Sequence, residues 1–141
     1  MKITILTLFK EQFDSFKNTS IIKRALDKNV VEIEVINFRD YSSDRLKRVD
    51  DAPYGGGAGM VLMCQPIFDC VKSIRTDDSK VILLTPSGKV YNQSMAYDLS
   101  HKKHLSVHHQ CTPQRLRLPW KLPKRLHSRS ELTSYRCPER S

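Results

Sequence analysis

A glycine-rich segment is the part of this sequence best suited to hold a ligand close to the backbone. Gly55, Gly56, Gly57 and Gly59 fill four of five consecutive positions, and Met60 follows them. Glycine adopts positive φ angles and exposes backbone N–H groups, so such loops often bind nucleotides or phosphates. The dinucleotide fingerprint is not matched, because Met60 stands where its third glycine is required, and no P-loop lysine follows. A flexible hinge is an equally good interpretation of the glycines alone.

A charged segment directly precedes these glycines. It carries three basic residues, Arg45, Lys47 and Arg48, followed by two acidic residues, Asp50 and Asp51. The basic side chains could attract RNA phosphates, and the carboxylates could accept hydrogen bonds from the edge of a guanine base. A solvated surface loop is the simpler alternative. The polar stretch over residues 37–59 is long for a loop in a compact domain, which favours either a functional or a disordered segment.

A third candidate segment, Thr85-Pro86-Ser87-Gly88, follows the strongest strand pattern in the chain, the unbroken apolar run from Val81 to Leu84. We expect this buried strand to end at Thr85. Open α/β sheets bind small ligands at the carboxyl ends of their strands, so backbone groups here could hold an adenine or a ribose. An ordinary strand-to-helix turn made with Pro and Gly is the alternative.

The histidines and cysteines give no comparable signal. His108, His109, Cys111, His127 and Cys137 match no zinc spacing, so we predict no metal site. The four cysteines include no Cys-x-x-Cys pair, and reduced thiols in a cytoplasmic protein are the expectation. No apolar run approaches the roughly 18 residues that span a bilayer.

The elements that must position these segments alternate along the chain. We predict strands over residues 3–9, 31–35 and 80–85, with the second at a sheet edge because its apolar residues alternate with glutamates. Helical spacing predicts two short helices or one broken helix up to Leu26, a helix with Pro66 in its first turn, and a helix from a cap at Asn92 to about His101. Alternating strands and helices indicate an α/β fold with a mostly parallel sheet flanked by helices.

The composition changes near Leu105. Residues 1–105 hold 16 Lys+Arg against 13 Asp+Glu, whereas residues 106–141 hold 8 against 2, contain no glycine and include four of the seven prolines. We find no sustained period of either kind beyond Leu105. We therefore predict one domain over residues 1–105 and a basic, disordered tail over residues 106–141.

The segment from Val49 to Met60 as a whole resembles the signature of bacterial tRNA (guanine-N1)-methyltransferases. Three further segments, Ile5 to Phe9, Asn37 to Tyr41 and Val81 to Gly88, fall in the order and spacing of that family. The resemblance covers residues 1 to about 105. It departs from the family at Lys10, where Pro is usual, and at Leu46, where His is usual.

The resemblance implies methyl transfer from S-adenosylmethionine to N1 of the guanosine on the 3′ side of the anticodon in tRNA. It further implies a SPOUT-type α/β knot and a site shared across a homodimer. The segment expected to contact the cofactor comprises Leu84, Thr85, Pro86, Ser87 and Gly88. The residues expected near the tRNA are Asp50, Tyr54, Gly55, Gly56, Gly57 and Gly59.

The same resemblance assigns no catalytic residue in this chain. The family's Asp and Arg, which deprotonate N1 and stabilise charge on O6, belong to a later segment that has no counterpart after Leu105. We therefore expect an incomplete knot, with weak activity or none from this chain alone. We hypothesise that a reading-frame shift near codon 105 produced the tail, and a genuine C-terminal variation is the alternative. A non-catalytic RNA-binding fragment and a small α/β dimerisation module are the rival functions.

Overall fold

The computed structural model describes residues 1–109 and 132–136. The strands are β1 Lys2–Thr7, β2 Glu32–Asn37, β3 Asp50–Asp51, β4 Val61–Leu62, β5 Ser79–Val90, β6 His104–His109 and β7 Leu132–Arg136. The helices are α1 Gln12–Lys17, α2 Ser20–Asp27, a 3-10 helix over Phe38–Tyr41, α3 Cys64–Ile74 and α4 Gln93–Ser100. None of the helices in these two ranges is long and apolar enough to cross a membrane.

Five of the described strands form one sheet in the order β2-β1-β6-β5-β7, and β3 pairs with β4 in a separate two-stranded sheet. Every neighbouring pair in the large sheet is parallel. The predicted parallel α/β architecture is therefore confirmed. The predicted edge position of β2 is also confirmed, and its exposed Glu32 and Glu34 alternate with the half-buried Ile33 and Val35.

The sheet buries apolar side chains on both faces. One hydrophobic cluster contains Leu6, Phe38, Val49 and Cys70, with further residues of α3 packed around it. The second contains Ile82, Leu99 and Leu105, with Ile3 and Met95 beside them. Because neighbouring residues of a strand point to opposite faces, α3 covers one face and α4 covers the other.

The helices follow the predicted pattern closely. Of the two predicted alternatives, the structure has the two short helices, α1 and α2, and neither has a fully buried residue. Pro66 lies in the first turn of α3. The Asn92 side chain caps α4 by accepting a hydrogen bond from the Met95 backbone N–H at 3.0 Å, and the helix ends before His101 as predicted.

Two predictions about strands are wrong. The strand predicted to end at Thr85 continues to Val90, because its pairing with β7 resumes at Lys89 after an irregularity. The absence of regular structure after Leu105 is also wrong, because β6 lies between β1 and β5 at the centre of the sheet. The domain boundary at residue 105 stays a prediction. The remaining part of the predicted disordered tail, residues 110–131 and 137–141, lies outside the described residues.

Strand β6 is hard to detect in the sequence because its buried face toward α3 is polar. His104, Ser106 and His108 are all buried, whereas central parallel strands are usually apolar on both faces. The His108 ring meets the Phe38 ring edge-on, with centroids 5.4 Å apart. The apolar positions of β6 lie on its other face and are too few to form a clear pattern.

The polar face of β6 weakens the packing at the centre of the sheet. Among the described residues, the buried Ser106 Oγ has no hydrogen-bond partner, and an unsatisfied buried polar group typically costs about 1–3 kcal/mol. His104 compensates in part, because its Nε2 lies 3.0 Å from the Thr4 hydroxyl in a buried hydrogen bond. The apolar Leu105 and Val107 pack against the cluster on the opposite face. Backbone pairing and one apolar face therefore hold this strand in place.

Burial should make the stability of this sheet depend on pH through His104. Burial lowers the pKa of the His104 imidazole below its ordinary value of 6.5, and the nearby Lys2 acts in the same direction. The unfolded chain then takes up a proton at higher pH than the folded chain. We expect the free energy of unfolding to keep its full value above about pH 6.5. It should decrease as the pH falls below about 6.5.

Denaturant titrations at about pH 7.5 and about pH 5.5 measure this dependence. A His104→Gln variant should lose less stability between the two values than the parent chain. His101→Gln is the matched control, because His101 is exposed at the end of α4. An equal pH dependence of the parent and His104→Gln chains would contradict the prediction.

Candidate functional site

The carboxyl ends of the parallel strands bring the candidate segments to one edge of the sheet. Strands β1, β2 and β6 end at Thr7, Asn37 and His109, and β5 leaves its pairing with β6 at Leu84. Since all of these strands run in the same direction, their ends meet at the same edge. The cofactor candidate begins at this edge, and the 3-10 helix that leads toward the glycine-rich segment starts there too.

Strands β3 and β4 form a hairpin that carries the glycine-rich segment. The strands are antiparallel, with Asp50 opposite Leu62 and Asp51 opposite Val61. The hairpin is fixed to the body of the protein by Val49, whose exposed fraction is 1%, and the Met63 N–H donates to the Val49 carbonyl at 2.7 Å. A buried base therefore supports the hairpin.

The backbone at the tip of the hairpin adopts the positive φ angles that glycine allows. The Gly56 N–H donates to the Pro53 carbonyl at 3.1 Å, which closes a turn with Tyr54 and Gly55 at its centre. Gly55 has a φ angle of 88°, as the third residue of a type II turn requires. The Tyr54 side chain is fully exposed. The tip is thus an ordered turn in the structure, and it presents an aromatic ring to solvent.

Ion pairs organise the charged segment before the hairpin. The Arg48 Nε lies 2.5 Å from the Asp44 Oδ2, and the Lys47 Nζ lies 3.7 Å from the Asp40 Oδ1. The hydrogen bond from Arg48 lowers the pKa of the Asp44 carboxyl and raises the pKa of the guanidinium. Two of the three basic side chains singled out in the sequence therefore already have carboxylate partners.

Two amides that the sequence patterns do not single out hold this region in place. The Asn37 Nδ2 donates to the Leu8 carbonyl at 3.4 Å, and its Oδ1 accepts from the Arg39 N–H at 2.9 Å, which joins the ends of β1 and β2. The Gln65 Nε2 donates to the Tyr41 carbonyl at 3.0 Å and joins α3 to the 3-10 helix. Asn37 could have been found, since Asn before a turn commonly binds the backbone two residues ahead.

The cofactor candidate lies where β5 leaves its regular ladder. Its described pairing with β6 runs up to Leu84, and its register with β7 shifts between Leu84 and Lys89. Leu84 packs on the cluster of Ile82 and Leu99, and Gly88 is half-buried. The segment thus joins an apolar wall to an irregular stretch of strand at the carboxyl edge of the sheet.

The two candidate segments connect to opposite faces of the sheet. Val49, at the base of the hairpin, belongs to the cluster under α3, whereas Leu84 belongs to the cluster under α4. Within this chain, each segment has an apolar support of its own.

Metal and thiol chemistry have little support in the described residues. Within residues 1–109 and 132–136, no group of three or more His, Cys, Asp or Glu side chains could hold a metal ion. Cys111, His127 and Cys137 lie outside those ranges. Burial, aided by Asp40 and Glu34, raises the pKa of the Cys70 thiol to about 11, so this thiol is protonated at neutral pH.

Comparison with known proteins identifies the family. A family model described as tRNA (Guanine-1)-methyltransferase TrmD matches residues 1–111, which include the hairpin and the cofactor candidate. The chain belongs to the tRNA (guanine-1)-methyltransferase family. The resemblance found in the sequence is therefore confirmed, and the family match extends through β6.

Individual relatives agree with this assignment to the tRNA (guanine-1)-methyltransferase family. A tRNA (guanine-N(1)-)-methyltransferase of Malacoplasma penetrans is 57% identical over 105 residues, covering 74% of this chain and 46% of the relative. Proteins of the same name from Finegoldia magna and Clostridioides difficile are 47% and 50% identical over 107 residues, covering 76% and 73% of this chain. The chain spans about half the length of the curated relatives it matches.

Because Val49 anchors the hairpin, shortening its side chain should loosen the hairpin in this member of the methyltransferase family. Val49→Ala removes part of a buried side chain, and full burial of Val is worth about 1.5–3 kcal/mol. We expect a loss of about 1 kcal/mol in the free energy of unfolding, with faster hydrogen exchange at the Met63 N–H. Leu46→Ala is the matched control, because Leu46 in the preceding segment is 70% exposed.

Denaturant titration and amide hydrogen exchange measure the two effects. Leu46→Ala should change the free energy of unfolding by no more than about 0.5 kcal/mol. Unchanged exchange at Met63 in the Val49→Ala chain would show that the hairpin does not depend on this anchor.

Proposed function

We propose that this chain is part of an enzyme that transfers a methyl group from S-adenosylmethionine to N1 of the guanosine on the 3′ side of the anticodon in tRNA. The family match over residues 1–111 is the observation that carries the proposal, because both candidate segments lie inside it. The relatives are named tRNA (guanine-N(1)-)-methyltransferases, which favours this function over an unrelated α/β dimerisation module.

The residues proposed to hold the cofactor are Leu84, Thr85, Pro86, Ser87 and Gly88. S-adenosylmethionine, when bound, supplies the electrophilic methyl group. Residues 85–88 lie where the register between β5 and β7 shifts, at the edge where the strands of the sheet end, and open α/β sheets bind small ligands at this edge. Leu84 offers an apolar surface from the cluster beneath α4. An apolar wall at this edge of the sheet suits the adenine of the proposed cofactor.

The residues proposed to contact tRNA are Asp50, Tyr54, Gly55, Gly56, Gly57 and Gly59. Asp50 is exposed on β3, and a carboxylate can accept hydrogen bonds from the N1–H and amino group of guanine. An added Cβ at Gly55, Gly56 or Gly57 would meet no heavy atom within 4 Å, so the tip leaves room for a close partner. The hairpin therefore suits the approach of an RNA loop.

The catalytic base is not assigned among the residues of this chain. The role would require a group that removes the N1 proton of guanine, together with a donor that stabilises charge on O6. We further propose a homodimeric enzyme that works in the cytoplasm, where its tRNA substrate is found. A non-catalytic RNA-binding fragment is the second candidate, and it differs by predicting RNA binding without cofactor binding.

Cofactor binding tests the assignment of residues 84–88. We expect weak but measurable binding of S-adenosylmethionine by calorimetry, and Gly88→Val should weaken it at least about tenfold by filling space at the ligand. Gly57→Ala in the hairpin should leave cofactor affinity unchanged. Thermal melting of both variants separates lost binding from unfolding. Absence of cofactor binding by the parent chain would overturn the assignment and favour the RNA-binding fragment.

Methyl transfer tests the proposed reaction. The purified chain is incubated with methyl-labelled S-adenosylmethionine and tRNA, and the nucleosides are then separated to detect N1-methylguanosine. We expect weak product formation or none, since no catalytic base is assigned here. A tRNA with adenosine in place of the target guanosine is the control. Efficient formation of N1-methylguanosine would contradict this prediction and would place the base within this chain.

A further inference from the structure

The Tyr54 ring is the most exposed large apolar side chain described in this protein. Tyr54 is fully exposed, compared with exposed fractions of 66% for Tyr97 and 41% for Tyr91. Single exposed apolar residues are common and need no explanation by themselves. The position of Tyr54 on its hairpin, however, gives the exposed ring a specific geometry.

The hairpin carries this ring at its tip, and the base of the hairpin is anchored to the body of the protein. Val49 is buried in the cluster under α3, and the Met63 N–H binds the Val49 carbonyl at 2.7 Å. The hydrogen bond from the Gly56 N–H to the Pro53 carbonyl then closes the turn around Tyr54. The closed turn restricts the backbone that carries the ring, so less backbone entropy is lost when a partner packs against the ring.

The charges around the hairpin do not favour a purely electrostatic interaction with RNA. Residues 39–51 carry four basic and four acidic side chains. Arg48 and Lys47 are paired with Asp44 and Asp40. Phosphate attraction alone therefore has little net charge to act through here. An aromatic ring supplies affinity that does not depend on net charge, because every nucleobase has a face that can stack on it.

We propose that the Tyr54 ring is a stacking platform for an unpaired nucleobase in an RNA loop. The proposal rests on the proposed function in taking RNA as the ligand, and it adds the residue and the contact that would hold the base. The neighbouring glycines leave room for the RNA beside the ring, since no heavy atom lies within 4 Å of an added Cβ at Gly55, Gly56 or Gly57.

RNA binding by the full chain tests this proposal without any cofactor. The probes are an RNA stem-loop with unpaired purines, the same stem-loop with abasic sites in the loop, and a blunt duplex of the stem. Tyr54→Ala should weaken stem-loop binding about 5- to 150-fold, because stacking is worth about 1–3 kcal/mol per base. Tyr54→Phe should bind like the parent chain.

The controls separate stacking from other roles of the residue. Tyr97→Ala, on α4, should bind like the parent chain, as Tyr97 is exposed but lies outside the hairpin. The dependence of affinity on salt should be the same for Tyr54→Ala and the parent, since no phosphate contact is lost. Abasic loop sites should weaken the parent chain but have little further effect on Tyr54→Ala.

Three results would overturn the proposal: no binding of the stem-loop by the parent chain, equal binding by Tyr54→Ala, or an equal loss in Tyr54→Phe. The first two would exclude stacking on this ring, and the third would assign the contact to the hydroxyl. A failure of S-adenosylmethionine binding would contradict the proposed function but would not affect this RNA experiment. Failure of the proposed function and failure of the stacking proposal are therefore distinguishable.

Discussion

The buried packing of Leu6, Phe38, Val49 and Cys70 connects the parts of this protein that matter for its function. Leu6 belongs to strand β1, Phe38 begins the 3-10 helix, and Val49 precedes the hairpin. A contact between residues so distant in sequence fixes the direction in which the hairpin leaves the sheet. Without it, the glycine-rich segment would be a tethered loop and could not hold Tyr54 at a defined position.

The two candidate segments illustrate different ways to expose a backbone to a ligand. In the hairpin, positive φ angles at Gly55 and Gly56 bend the chain into an open turn. In β5, the strand remains extended, but its ladder is interrupted between Leu84 and Lys89. Each segment is supported by an apolar cluster on its own side of the sheet. This separation agrees with the proposal that a small cofactor and a large RNA bind through different surfaces.

The sequence by itself determined the local elements and the family. The alternation in β2, the cap at Asn92, the first-turn Pro66 and the apolar run of β5 are all predictable, because each depends on neighbouring residues only. The signature from Val49 to Met60 indicates the family through residue types and spacing alone, and the match over residues 1–111 confirms it. The assignment of individual site residues stays a prediction.

Only the tertiary structure decided the place of β6, the length of β5 and the support of the hairpin. The polar residues of β6 look like surface residues in sequence, and they become central because β1 and β5 pair with the strand on either side. Strand β5 passes Pro86 because β7 resumes pairing at Lys89, and Val49 becomes an anchor because Leu6 and Phe38 meet it. Each of these outcomes depends on residues far apart in the chain, and local propensity carries no information about such contacts.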